Sequence, residues 1–127
     1  MDGQNELTQE KKLFQKGMQA FNERRFYDAH EYWEELWLDY KLEDAKFIQG
    51  LIQLAVSYFH LFNQNIKGSR SMIRKRLGKF EDFDMVRGID VDELKMQIKG
   101  VQEHFNEINY TCDIIDSYIL ILKVIHE

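Results

Sequence analysis

The sequence predicts an all-α protein: a single compact bundle of about five helices built around an antiparallel helix pair, with a C-terminal tail that reads as extended or helical. Three observations carry this. The 127 residues contain no proline, which loops, hairpins and sheet edges normally use. Apolar residues recur at three- and four-residue spacing along most of the chain. The apolar runs are separated by short polar breaks such as Asn22–Arg25 and Asn63–Asn65.

The elements follow in order. Phe14, Met18 and Phe21 at i, i+4, i+7 predict a first helix over about residues 6–22. A second carries Phe26, Ala29, Trp33, Trp37 and Tyr40 along one stripe and stops at the turn Lys41-Leu42-Glu43. The third, about 44–63, is apolar over more than half its circumference (Phe47, Ile48, Leu51, Ile52, Leu54, Ala55, Tyr58, Phe59, Phe62), so it should lie centrally. A fourth, about 66–79, presents Met72, Ile73, Leu77 and Phe80. Residues 81–89 read as loop. Asp90 three before Glu93 is a capping box, opening a helix with the narrow seam Val91, Leu94, Ile98, Val101, Phe105 and Ile108. In the tail, Ile114, Ile115, Ile119, Ile121, Val124 and Ile125 favour extended chain, yet Ile114, Tyr118, Ile121 and Ile125 also fit a helical face. Extended or irregular chain packed on the bundle is the expectation taken.

Composition bounds the function classes. With 44% apolar and 31% charged residues the chain is globular, and residues 1–127 are expected to form one domain. No apolar run approaches the roughly 18 residues of a membrane helix, and Met1–Lys12 is too polar for the core of a secretion signal. Cys112 stands alone, which rules out an intramolecular disulfide and cysteine-based zinc motifs and fits the reducing cytoplasm. The 17 basic residues against 22 acidic ones, net −5, argue against a nucleic-acid partner.

Chemistry concentrates in His30-Glu31-Tyr32-Trp33-Glu34-Glu35-Leu36-Trp37. At about 100° per residue, His30 and Trp37 project beside the stripe of Phe26 and Trp33, and Glu34 sits one turn from His30, where the two can meet. On the third helix Gln49, Gln53 and His60 share a narrow strip. In an antiparallel hairpin that strip is expected to oppose His30 and Glu34, because buried polar groups must satisfy one another. His30 and Glu34 are candidate metal ligands, but the segment lacks the second histidine of the helical zinc-protease motif, and the chain lacks the paired Glu-x-x-His of di-iron bundles; no cofactor is implied. Cys112, His126 and Ser57 form no recognisable nucleophile arrangement, and the seven glycines form no phosphate-cradling loop. Lys67, Arg70, Arg74, Lys75, Arg76 and Lys79 mark a basic run on the fourth helix, read as a solvated face.

These residues resemble the bacterial and archaeal family catalogued as domain of unknown function 309. The resemblance rests on Phe21, Phe26 through Glu34 (Phe-Tyr-Asp-Ala-His-Glu-Tyr-Trp-Glu) and Trp37, then Phe47 through Ala55 (Phe-Ile-Gln-Gly-Leu-Ile-Gln-Leu-Ala), His60, Asn65 and Gly68. It covers about residues 13–80 and fades beyond 85. It implies a small cytosolic helical bundle in which His30, Glu31, Glu34, Gln49 and Gln53 belong to the family pattern, and it implies no activity. Ala20–Ala29 is also faintly similar to a tetratricopeptide hairpin, but no repeat period follows.

The leading expectation is a non-enzymatic module that binds a peptide or protein partner in a groove lined by Trp33, Trp37 and the His30/Glu34 cluster. One alternative is a metal-dependent or acid-base enzyme using His30 and Glu34, with Gln49 and Gln53 orienting substrate. Another treats the cluster as a structural lock. The apolar tail is a candidate contact between copies of the chain.

Overall fold

The computed structural model describes residues 8–70, 77–105, 107–108 and 119–124. Three helices follow one another: α1 (Gln9–Asn22), α2 (Phe26–Asp39) and α3 (Ala45–Phe62). Residues 66–70 are again helical, and Leu77–Phe80 form a 3₁₀ turn. A two-stranded ribbon, β1 (Met85–Val86) and β2 (Ile89–Asp90), leads into α4 (Val91–Phe105). The expected all-α class stands. Of the expected fourth helix, residues 71–76 lie outside the described residues.

The local chemistry accounts for the element ends. Thr8 opens α1, its hydroxyl accepting from the Lys11 N–H at 3.2 Å. α1 closes with Arg24 in the left-handed region (φ 65°) while the Arg25 N–H reaches back to the Ala20 carbonyl at 2.8 Å. α3 ends in the same way, with Gln64 at φ 70° and the Asn65 N–H on the His60 carbonyl at 2.8 Å. The Asn65 side chain then accepts from the Gly68 N–H at 3.1 Å, starting the next helix. At α4 the expected cap forms, the Glu93 N–H donating to Asp90 Oδ1 at 3.2 Å.

The core is aromatic. Phe26, at the start of α2, stacks on Tyr58 (4.9 Å between centroids) and on Phe62 (5.9 Å), near the end of α3, so α2 and α3 run antiparallel as expected. Trp33 is fully buried against α1 and donates its indole N–H to the Phe14 carbonyl at 3.2 Å. Gly17 makes room for it: a Cβ there would lie 2.1 Å from Trp33 Nε1. On the far side of α3, a Cβ on Gly50 would lie 2.7 Å from the buried ring of Phe80. Ser57 and Ser69 bury their hydroxyls against each other at 3.1 Å.

Residues 81–89, expected as loop, contain the ribbon instead. Its two-residue turn, Arg87-Gly88, has both residues at positive φ (50° and 83°), the geometry whose twist matches paired strands. Arg87 bears the left-handed conformation because its guanidinium is anchored. Nε and Nη2 donate to the two carboxylate oxygens of Asp44 at 2.7 and 3.2 Å, Nη2 also reaches Glu10 at 3.3 Å, and the group lies 5.1 Å from the Phe14 ring. The ribbon is thereby tied to the starts of α1 and α3.

Residues 119–124 have no regular secondary structure and lie on the bundle, as expected of the tail; residues 109–118 and 125–127 lie outside the described residues. Ile119, Leu120 and Leu122 are buried, and the Leu120 N–H donates to the Tyr58 hydroxyl at 3.1 Å.

Two outcomes follow. Gly17→Ala should destabilise the chain by about 1–3 kcal/mol through overpacking, although alanine is the better helix former by about 1 kcal/mol. Trp33→Ala should cost about 3–5 kcal/mol. In the Trp33→Ala background Gly17→Ala should cost nothing further, and equal costs in both backgrounds, measured by urea unfolding, would contradict the contact. The second outcome concerns pH. Burial pushes the Tyr58 phenol above its ordinary value, opposed by the Leu120 N–H, which favours the phenolate. The folded chain therefore holds this proton where the unfolded chain has released it, so stability falls as pH rises above about 10. Tyr58→Phe should flatten that alkaline decline in urea unfolding between about pH 9 and 11; an unchanged slope would contradict it.

Candidate functional site

The face of α2 that remains outside the core is fixed by Trp33. With its indole turned into α1, Tyr27, His30, Glu31, Glu34 and Trp37 fall within an arc of about 120°, taking about 100° per residue. His30 lies within this arc, between Trp37 and Glu34. Its ring lies 5.6 Å from that of Tyr27, which itself meets Phe59 of α3 at 5.4 Å.

His30 and Glu34 meet as expected, with Nε2 to Oε2 at 3.0 Å. A carboxylate oxygen can only accept, so Nε2 carries the proton, and in the neutral ring Nδ1 is an acceptor. Nδ1 is buried and has no hydrogen-bond partner among the described residues. The His30 side chain is 22% exposed and that of Glu34 49%, so the pair lies at the surface rather than sealed within the core. Glu31 and Glu35 point to solvent.

The strip on α3 does not join them. Gln49 accepts from Lys79 Nζ at 2.9 Å, and the Gln53 amide oxygen is buried without a partner among the described residues. His60 is half-buried, its ring 6.1 Å from that of Phe59. Phe59 and Phe62 mark the edge of α3 that meets α2, through their ring contacts with Tyr27 and Phe26. Gln49, Gln53 and His60 are turned about 100° away from Phe59. The expectation of one shared polar centre is therefore corrected: among the described residues no hydrogen bond joins His30 or Glu34 to any of the three. A second correction concerns Trp33, which is fully buried and lines no groove. Trp37, 37% exposed, stays on the surface.

For a metal the described residues offer His30 and Glu34 without a third ligand, since no group of three or more His, Cys, Asp or Glu side chains converges. The basic run is also partly spent inside the fold. Arg70 donates Nε to the Phe105 carbonyl at 2.6 Å and Nη2 to the Ile108 carbonyl, closing the C-terminal end of α4, and Lys79 holds Gln49. Lys67 is exposed; Arg74, Lys75, Arg76, Cys112 and His126 lie outside the described residues.

Residues 14–72 match the family model of DUF309, described as a domain of unknown function. The match contains both motif segments on which the resemblance rests, and it ends at residue 72, short of residue 80. An uncharacterized protein of Aquifex aeolicus (strain VF5) is 28% identical over 97 residues, covering 75% of this chain and 29% of its own length. The chain thus spans less than a third of that relative. No solved structure matches. Among the described residues, no helix is long and apolar enough to cross a membrane.

Within the DUF309 segment many motif residues have packing duties. Trp33 fills the gap at Gly17, Gln49 holds Lys79, Gly50 admits Phe80, Asn65 caps the helix containing Gly68, and Phe26 stacks on Tyr58. Tyr27, Glu31, Glu34 and Trp37 are exposed, His30 is half-buried, and the five share the outward arc of α2. Sequence reasoning missed Asn22, Asp44, Tyr58 and Arg87 as organising residues. Asn22 and Asp44 read as break and helix-start positions, Tyr58 as one more apolar residue, and Arg87 precedes a glycine in a segment too short to show strand alternation.

If the His30–Glu34 pair is an exposed helix pair and no more, Glu34→Gln should change stability by less than about 0.5 kcal/mol in urea unfolding. A loss above about 2 kcal/mol would show the pair to be a structural lock.

Proposed function

We propose that this chain is a non-enzymatic helical module that binds a peptide or protein partner through the outward arc of α2. The observation that carries the reading is that Tyr27, His30, Glu31, Glu34 and Trp37, motif residues outside the fully buried core, share one arc of α2. Three large apolar side chains stand in or beside it, with Tyr27 51%, Trp37 37% and Leu38 65% exposed. Aromatic residues set among a few polar groups are the usual anchors of interaction surfaces. A cavity of about 310 Å³ adjoins the arc, lined by Arg25, Tyr27, Phe59, Phe62 and Asn63, and it suits one apolar anchor from a partner. His30 and Glu34 would set the orientation through the carboxylate and the ring edge, and the acid-base alternative draws on this same pair. In the same reading residues 1–127 form one domain working in the reducing cytoplasm, in keeping with a single cysteine.

The test is a surface variant. Leu38→Glu should leave unfolding free energy within about 1 kcal/mol of the parent, because that side chain is 65% exposed. In cross-linked pull-downs from cells expressing each form, proteins captured by the parent should be lost from the variant. Identical capture by two equally stable chains would sink the proposal.

A further inference from the structure

The tail segment 119–124 is held on the bundle in a manner that packing alone does not require. It has no regular secondary structure, so its backbone groups find no ladder of their own. Side chains of the helices supply the partners. The Leu120 N–H donates to the Tyr58 hydroxyl at 3.1 Å. Two residues on, the Leu122 N–H donates to Asn22 Oδ1 at 2.8 Å, while Asn22 Nδ2 donates to the Leu122 carbonyl at 2.8 Å. One asparagine thus grips both backbone groups of a single residue, as a neighbouring strand would.

From Leu120 to Lys123 the side chains alternate, Leu120 and Leu122 buried and Ile121 and Lys123 outward, while Ile119 before them is also buried and Val124 after them is exposed. This is how extended peptides are recognised: main-chain hydrogen bonds supply affinity without regard to sequence, and apolar slots for alternate side chains supply selectivity. Beyond Leu122 the track borders a cavity of about 520 Å³ with Phe14, Met18 and Val124 in its wall and Lys11 and Arg87 at its rim. Asn22 and Tyr58 both lie within the DUF309 segment, and the bound residues lie outside it. The two side chains that hold the tail backbone thus come from the matched segment, while α4, outside it, borders the tail on another side, with Lys123 Nζ 3.8 Å from Glu93.

We propose that the track across α1 and α3 is a binding site for an extended peptide carrying leucine at alternate positions, and that residues 119–124 fill it in cis. The partner is a segment of Leu-x-Leu pattern whose second leucine offers its N–H and carbonyl to Asn22. The tail competes from the same chain at an effective concentration on the order of millimolar, so an external peptide binds well only when the tail is displaced.

The test uses the full chain and a fluorescent peptide of the tail sequence, Ile-Leu-Ile-Leu-Lys-Val, flanked by lysines for solubility. Fluorescence anisotropy should show weak binding to the parent. Leu122→Asp, which ejects the chain's own tail, should bind the peptide at least ten-fold more tightly. Adding Asn22→Ala to that variant should cost at least ten-fold, and a peptide with aspartate in place of both leucines should not bind. A folded Leu122→Asp chain that ignores the peptide, or binds it equally with and without Asn22, overturns the proposal. Should Leu122→Asp not fold, amide exchange on the parent decides. The Leu120 and Leu122 amides should exchange at least ten-fold faster than those of Leu51 and Leu54 in α3, through local release of the tail. Exchange at the same rate and with the same denaturant dependence would make the segment a permanent part of the core, and the proposal would fall.

Discussion

The contact between Trp33 and Gly17 sets the rotation of α2, and most of what the surface offers depends on it. An indole fits between two helices only where the facing residue has no side chain, and here the approach is so close that even a methyl group on Gly17 would collide. The indole N–H adds direction. Buried, it must find an acceptor, and the Phe14 carbonyl supplies one at 3.2 Å from the facing helix. With the ring oriented in this way, Ala29 and Leu36 follow it inward, and Tyr27, Glu34 and Leu38 are carried outward. The exposed arc is thus a consequence of one buried side chain.

The rotation of α3 is governed separately, and this explains why the polar residues of the two helices stay apart. α3 is packed on two fronts. Toward α2 it offers Phe59, Phe62 and Tyr58, drawn by their rings onto Tyr27 and Phe26. Toward the 3₁₀ turn it offers Gly50, against which Phe80 closes. Aromatic burial outweighs the small gain from an amide–imidazole hydrogen bond, since a buried ring contributes several kcal/mol and a typical hydrogen bond nets about 1 kcal/mol. Gln49 therefore turns with its helix and takes a lysine from the turn instead of a partner on α2. The unpaired atoms that result, Nδ1 of His30 and Oε1 of Gln53, mark where that preference is left uncompensated by protein groups.

What could be read from sequence follows the same division. Apolar periodicity reports which residues of a helix face inward, so α1, α2, α3 and α4 were legible to within a few residues, as was the Asp90–Glu93 cap. The i, i+4 meeting of His30 and Glu34 was legible too, because it lies within one helix. Relations between helices were not. Whether Gln49 faces His30 depends on rotation about the α3 axis, and that is decided by Gly50 and Phe80, thirty residues apart and individually unremarkable in the sequence. Trp33 and Trp37 illustrate the point within one motif: four residues separate them, yet the first is sealed and the second is not, because only the first faces a glycine. The ribbon escaped notice because two-residue strands are too short to show alternation.

Asn22 shows how a residue that looks like punctuation can carry structure. It ends α1, where the last helical carbonyls lack partners and the chain must turn, and asparagine suits such a place. Its amide, however, points across the molecule to Leu122, a hundred residues on, where it satisfies both backbone groups of a buried residue. Without that amide the part-buried Leu122 N–H and carbonyl would lose these partners, at a cost that falls on the tail and not on α1. Among the described residues no strand pairs with this segment, since β1 and β2 pair with each other. Side chains such as Asn22 and Tyr58 take the place of one, holding the backbone of Leu120 and Leu122 while the side chains of these two leucines are buried.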